Sequence, residues 1–251
     1  MIPAMELGRQ LKAQELCRIT VGSTLVWKRR TEAADFLIPP GNLLLRWHPV
    51  PVHMAPVDDW ARWEDRLYRR LYGQTVRQEG ETLILPRLPG TPVLDQLDDP
   101  RAFPAAVAAL LDLHRHSFLG RRISHGDATA HNVLFDGSEA RWFDFDAMHD
   151  LRTPASLRHA DDLRALLFSA VGRAPERIEA LLDAVMAYPD AVVLQELGRL
   201  VVSWRLHWSP YHHGQALMTP DIHDGLIARI RYRITSRTDG PPRTSNCISP
   251  S

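Results

Sequence analysis

The chain has 251 residues, 45% of them hydrophobic, enough for one two-lobed domain or two small ones around a sizeable core. Thirty basic residues balance thirty acidic ones, which excludes a general polyanion binder such as a nucleic-acid coat and confines anion recognition to a local site. Cys17 and Cys247 are too few for a disulfide framework, no Cys-x-x-Cys pair offers zinc a site, Met1 to Gln14 lacks a signal-like apolar run, and no window approaches ~18 uninterrupted apolar residues. A cytoplasmic protein with no transmembrane segment is expected.

Leu16–Val21, Thr24–Arg29 and Leu43–Trp47 are rich in β-branched and large apolar residues and broken by Gly22-Ser23 and Pro39-Pro40-Gly41-Asn42, so they read as strands joined by turns. From Val57 to Tyr72, Trp60, Trp63, Leu67 and Leu71 recur at helical spacing behind Asp58 and Asp59. Thr82–Leu85 is a further strand, and Pro86 to Pro92 is a punctuated crossing segment. Arg101 to His116 then places Phe103, Val107, Leu110, Leu111 and His114 on one helical face. Two short strands, Val133–Phe135 and Arg141–Phe143, flank the turn Asp136-Gly137-Ser138. Helices are expected over Leu157–Val171, Pro175–Tyr188, Ala191–Trp208 and Ile222–Ile234. Ser236 to Ser251 reads as a flexible tail, rich in Pro, Ser, Thr and Gly without periodicity.

The chemistry concentrates in Ser124-His125-Gly126-Asp127-Ala128-Thr129-Ala130-His131-Asn132-Val133-Leu134, followed by Trp142-Phe143-Asp144-Phe145-Asp146. Phosphoryl transfer needs an acidic residue beside the acceptor hydroxyl and oxygen ligands for the magnesium ions that bridge the phosphates of ATP. Asp127, Asn132 and Asp144 supply that set. Asp127 precedes Asn132 by five positions, the spacing of H-R-D-x-x-x-x-N, and Asp144-Phe145 stands where D-F-G would stand after two short strands.

These residues resemble the kinase-like phosphotransferases that include the aminoglycoside phosphotransferases and the lipopolysaccharide-core sugar kinases; "AHNVLFD" and "WFDFD" look most like the Kdo kinase branch. Gly126 in place of Arg is typical of these groups, and Asp146 departs from the usual Gly. The strong match covers about 23 residues. The resemblance implies Asp127 as catalytic base, Asn132 and Asp144 as magnesium ligands, and His125 as an anchor of the loop. His131 matches a position that is His in the sugar kinases. Asp161 or Asp162 would either brace the loop backbone or serve as first-turn acids. His212-His213 invite a metal reading that no third ligand completes.

A kinase also needs a cation for the α- and β-phosphates, itself fixed by a Glu on the following helix. Glu64 is the natural Glu. Arg46 lies 18 positions before it, whereas Lys28 lies 36 before it and is preferred because the lipopolysaccharide kinases carry an insertion between this strand and the helix. The expected glycine-rich loop is reduced to Gly22.

The expected fold is α+β, two-lobed and protein-kinase-like: a β-rich nucleotide-binding N-lobe over 1–86, a helical catalytic C-lobe over 87–235, and the tail 236–251. ATP and Mg2+ would lie between the lobes, with adenine near Leu85 to Leu88. The expected function moves the γ-phosphate to a hydroxyl of a sugar, glycolipid or other small molecule, with peripheral membrane contact allowed and no nucleic acid involved. A protein serine/threonine kinase and a catalytically weak kinase-like binding protein are the alternatives. The sixteen residues between Asp144 and Asp161 contain Thr153 and Ser156 but no A-P-E segment, which favours a compact acceptor. Arg152 and Arg158 are candidates to contact its anionic groups.

Overall fold

The computed structural model describes residues 16–46, 49–203 and 218–238. In chain order the elements are β1 (Cys17–Val21), β2 (Leu25–Arg30), α1 (Glu32–Leu45), β3 (Val52–Met54), α2 (Val57–Tyr72), β4 (Arg77–Glu79), β5 (Thr82–Pro86), β6 (Thr91–Pro92), α3 (Ala102–Arg115), β7 (Ser117–Phe118), β8 (Arg121–Arg122), β9 (Val133–Phe135), β10 (Ala140–Trp142), β11 (Ala147–His149), α4 (Ala155–Arg173), α5 (Ile178–Met186), α6 (Ala191–Ser203) and α7 (Pro220–Thr238). A small sheet-rich N-terminal region therefore precedes a largely helical C-terminal part.

The N-terminal sheet is antiparallel in the order β1-β2-β5-β4, with Lys28 of β2 opposite Ile19 on one side and Leu83 on the other. Period-2 alternation buries Leu83 and Leu85 of β5 in the core. α2 has Asp58 and Asp59 in its first turn and Arg69 and Arg70 in its last, as the helix dipole favours, and Gly73 closes it at φ 65°. Its inner face carries Trp60, Trp63, Glu64, Leu67 and Tyr68.

The strand expected over Leu43–Trp47 is not formed. Leu43 to Leu45 finish α1, which runs through Pro39 and Pro40, and Trp47 lies outside the described residues. The two prolines forgo helical amide bonds. The C-terminal end of α1 is instead held from outside: Asn42 Nδ2 donates to Met54 O at 2.9 Å and its Oδ1 accepts from the Met54 amide at 2.8 Å.

Two small ladders join distant stretches. β6 and β10 flank β9, and β3 pairs with β11 through Val52↔His149, His53↔Met148 and Met54↔Ala147. The second ladder crosses the expected 86/87 division. α4 is the central helix of the C-terminal part, with Leu163, Leu166, Leu167, Ala170 and Val171 buried, and α3, α5 and α6 pack around it. Residues 236–238, expected in the tail, end α7, and 239–251 lie outside the described residues. So do Met1 to Gln14, the Trp204–Trp208 end of the expected helix, and His212-His213. Among the described residues no helix is long and apolar enough to cross a membrane.

Candidate functional site

The loop between β8 and β9 is folded by hydrogen bonds from the helix behind it. Asp162, in the second turn of α4, accepts the His125 amide at 2.7 Å and the Gly126 amide at 2.9 Å, one on each carboxylate oxygen. Its depressed pKa, about 2, holds against burial because His114 donates to it and the histidines around it favour the anion. Gly126 sits at φ 93°, and a Cβ there would lie 2.5 Å from Ala147 O, so no side chain fits. His125 Nδ1 accepts from the Asp127 amide at 3.3 Å, and Nε2 donates to Phe143 O at 3.0 Å. Burial keeps this imidazole neutral, with its pKa lowered to about 4. Asn132 Nδ2 donates to both Asp127 O, at 2.9 Å, and Asp127 Oδ2, at 2.8 Å, which fixes the rotamer of that carboxylate; Asp127 Oδ1 has no hydrogen-bond partner among the described residues.

Lys28 reaches this loop from the N-terminal sheet. It is buried, forms an ion pair with Asp144 Oδ1, and lies 4.9 Å from the Trp60 ring centroid. Burial works against its charge, but Asp144, Glu64 and Asp146 together hold its pKa well above the ordinary lysine value. Glu64 is fully buried and accepts from Trp60 Nε1 at 2.8 Å. Lys28 is thus joined to the carboxylate across the site, and the charge of Glu64 favours the lysine's protonated form without a direct ion pair. Asp144 occupies the left-handed region at φ 68°, uncommon for a residue with a Cβ, so the surrounding ladder must hold it there. Burial opposes its ionisation, yet Lys28 keeps its pKa below the ordinary value. Its neighbours respond in the opposite sense. Burial and the Asp144 charge push Asp146 up to about 7 and Asp127 up to about 8.

Lys28, Glu64, Asp127, Asn132 and Asp144 therefore surround one site. Arg46 does not join them: it is exposed just beyond α1. Leu85 and Leu88 are buried in the core, and the Arg87 amide is taken by Thr24 O at 2.9 Å, which ties the β1–β2 turn to this crossing segment. His131 is exposed. Arg152 pairs with Asp150, and Arg158 turns inward to Ser124 Oγ at 2.6 Å, so neither guanidinium faces the site freely.

No family model and no curated protein matches the chain.

Behind the loop stands a network in which the sequence pointed to Asp161 or Asp162 as the brace but not to the roles of His114, His149, His159, Tyr188 and Ser124. His114 Nε2 donates to Asp162 at 2.9 Å and its Nδ1 accepts from Tyr188 Oη at 2.8 Å, while its ring stacks on His159 at 3.8 Å. Ser124 Oγ, held by Arg158, donates to His149 Nδ1 at 3.0 Å, and His149 Nε2 donates to Asp161 at 3.1 Å. The signal available in the sequence was the density of polar residues in "RHADDLR", too high for a helix otherwise buried along its length.

Among the described residues no three His, Cys, Asp or Glu side chains form a metal site by themselves. The oxygen-bearing groups suit a hard cation that takes its remaining ligands from phosphate and water. A largely buried carboxylate whose pKa is raised to about 8, aligned by an amide, can take a proton from a hydroxyl. A buried lysine beside it can neutralise a polyanion.

Proposed function

We propose that the protein is an ATP-dependent phosphotransferase of the protein-kinase-like fold that transfers the γ-phosphate to a hydroxyl of a small molecule or glycolipid. The observation that carries this reading is the Lys28–Asp144 ion pair. It brings a cation from the N-terminal sheet and the second acidic motif together beside Asp127, the three-sided arrangement that phosphoryl transfer requires.

In this reading Asp127 accepts the proton of the acceptor hydroxyl. Asn132 aligns it, and the Asp162 brace fixes the height of the loop. Lys28 exchanges Asp144 for the α- and β-phosphates, with Glu64 at hand to pair with it after the exchange. Asp144 and Asn132 would hold Mg2+, with Asp146 beside them. The fit rests on their chemistry: Asp146 and Asp127 are pushed up in pKa by crowded negative charge that a divalent cation relieves. When bound, the ion supplies charge neutralisation of the phosphate oxygens.

A compact acceptor is favoured over an extended peptide. Ala147–His149 is paired with β3, Arg152 is turned onto Asp150, and α4 begins at Ala155, so the stretch after Asp146 is short and pinned at both ends. Thr153 lies in that pinned stretch, its amide donating to Asp150 O at 3.0 Å.

The test of the reading is thermal unfolding with and without Mg2+-ATP. The wild-type protein should be stabilised through mass action, and Asp144→Ala should lose that magnesium-dependent gain while Asn132→Ala loses less of it. A wild-type protein that gains nothing from Mg2+-ATP, or an undiminished gain in Asp144→Ala, would overturn the assignment. Turnover with a panel of hydroxyl-bearing metabolites and glycolipids should then fall by at least about a hundredfold in Lys28→Met, a preorganised charge being removed, and stay near wild type in Arg46→Met. The reverse order would place the nucleotide cation outside the sheet.

A further inference from the structure

A cavity of about 560 Å³ opens on the C-terminal part, between the end of α3, β8, the start of α4 and the α5–α6 turn. None of its lining residues belongs to the 124–132 loop or to Asp144–Asp146, so it is separate from the site described above. Its size is that of small-molecule pockets, which run from roughly 300 to 1,000 Å³. Leu111, Pro189 and Ala191 contribute apolar wall.

The polar part of the lining is cationic and aromatic. Arg115 and Arg122 both contribute, and both are exposed. Arg122 spends one guanidinium nitrogen on Arg115 O, and the Arg115 side chain has no hydrogen-bond or ion-pair partner among the described residues. Asp190, the one acid in the lining, is committed to the Val192 and Val193 amides at 2.9 and 3.3 Å, where it caps α6. Ser156 adds a hydroxyl in the first turn of α4. The inner wall is the stacked pair His114 and His159 with Tyr188. These three are not passive: Tyr188 Oη donates to His114, and His114 donates to the Asp162 oxygen that also receives the His125 amide. Two hydrogen bonds lead from the cavity wall to the carboxylate that shapes the loop.

We propose that this cavity is an effector site for a compact phosphate-bearing metabolite with an apolar or planar body, and that its occupant acts on the 124–132 loop through Tyr188, His114 and Asp162. Arginine matches phosphate geometry through paired N–H donors, so Arg115 and Arg122 would take the anionic group and the body would lie against Leu111, Pro189 and Ala191, over the edge of the buried histidine pair. Because His114 bonds with both ring nitrogens, a ligand that shifts Tyr188 must alter the hydrogen bond His114 makes to Asp162.

The experiment is titration of the full chain with phenyl phosphate, with inorganic phosphate and benzyl alcohol as the arms lacking the body and the charge, followed by heteronuclear NMR of backbone amides and histidine rings. Phenyl phosphate should bind saturably, move the His114 and His159 ring signals, and move the His125 and Gly126 amides in step. The surface variants Arg115→Gln and Arg122→Gln should each weaken it by about tenfold or more, the loss of a charged hydrogen bond, with the fold intact by amide dispersion. Tyr188→Phe should retain binding and lose the His125 and Gly126 shifts. Absence of saturable binding, equal binding by benzyl alcohol, or affinity unchanged in both arginine variants would overturn the site; binding that leaves the His125 and Gly126 amides unmoved would overturn the coupling. All these readouts are independent of phosphotransfer, so failure here and failure of the Mg2+-ATP test are distinguishable.

Discussion

Asp127→Asn should reduce turnover by about a thousandfold while leaving Mg2+-ATP binding nearly unchanged, because a general base contributes roughly that factor and in the proposed reading Asp127 is that base and serves the acceptor instead of the nucleotide. The amide is nearly isosteric and keeps the hydrogen bond from Asn132, so a loss of rate can be assigned to the missing base. The same substitution should also stabilise the nucleotide-free protein at alkaline pH. Asp127 is raised to about 8 by burial first and by the Asp144 and Asp146 charges next, against an ordinary value near 4. A group raised in the folded state contributes its stability in full below the unfolded value and loses it as pH climbs through the folded one. The wild-type protein should therefore lose stability between about pH 4 and pH 8, and the Asn variant should lose less, by about 2 kcal/mol at pH 8 once the partial exposure of the site is discounted. Steady-state rates, nucleotide titration and thermal unfolding at pH 5 and pH 8 read the three effects. Near wild-type turnover in this variant would remove Asp127 from the mechanism.

The largest loss of stability should follow Asp162→Ala. That substitution orphans the amides of His125 and Gly126 and the Nε2–H of His114, all buried. Buried donors left without an acceptor cost about 1–3 kcal/mol each, and removing one member of a buried charged network costs about 3–5 kcal/mol. For a domain of this size the unfolding midpoint should drop by about 6–20 °C. Asp162→Asn supplies one carbonyl oxygen in place of two and should fall between. A midpoint unchanged in the Ala variant, by calorimetry, would mean that the loop is shaped by its flanking strands and not by α4.

What the sequence allowed to be read was the strongly periodic and the locally spaced. The two tryptophans and two leucines of α2 mark one face at helical spacing, and Val57 to Tyr72 is helical to the residue. Asp127 and Asn132 are five apart and meet through a side-chain hydrogen bond that such short spacing permits. Lys28 and Asp144 were legible separately, but their pairing spans 116 positions and depends on the whole fold. The Pro39-Pro40-Gly41-Asn42 stretch misled because its turn chemistry is local, whereas the Asn42 to Met54 clamp that holds it is tertiary. β3 and β11, at three residues each, are too short to show an alternation. Asp161 and Asp162 could not be told apart in sequence; in the structure one meets His149 and Arg164 and the other meets the loop.

The β3–β11 ladder has a consequence for the order of assembly. Its strands lie about ninety residues apart in the chain, so closing it carries the loop entropy of everything between them, including α2, β4, β5 and the 124–132 loop. Three paired residues cannot repay that entropy alone, and the ladder can close only on a framework already built by α2 and α4. Met148 and His149 follow Asp144 by four and five positions, so the left-handed turn at Asp144 is fixed by the same late step. A fragment that lacks either strand would therefore hold the acidic residues without their arrangement.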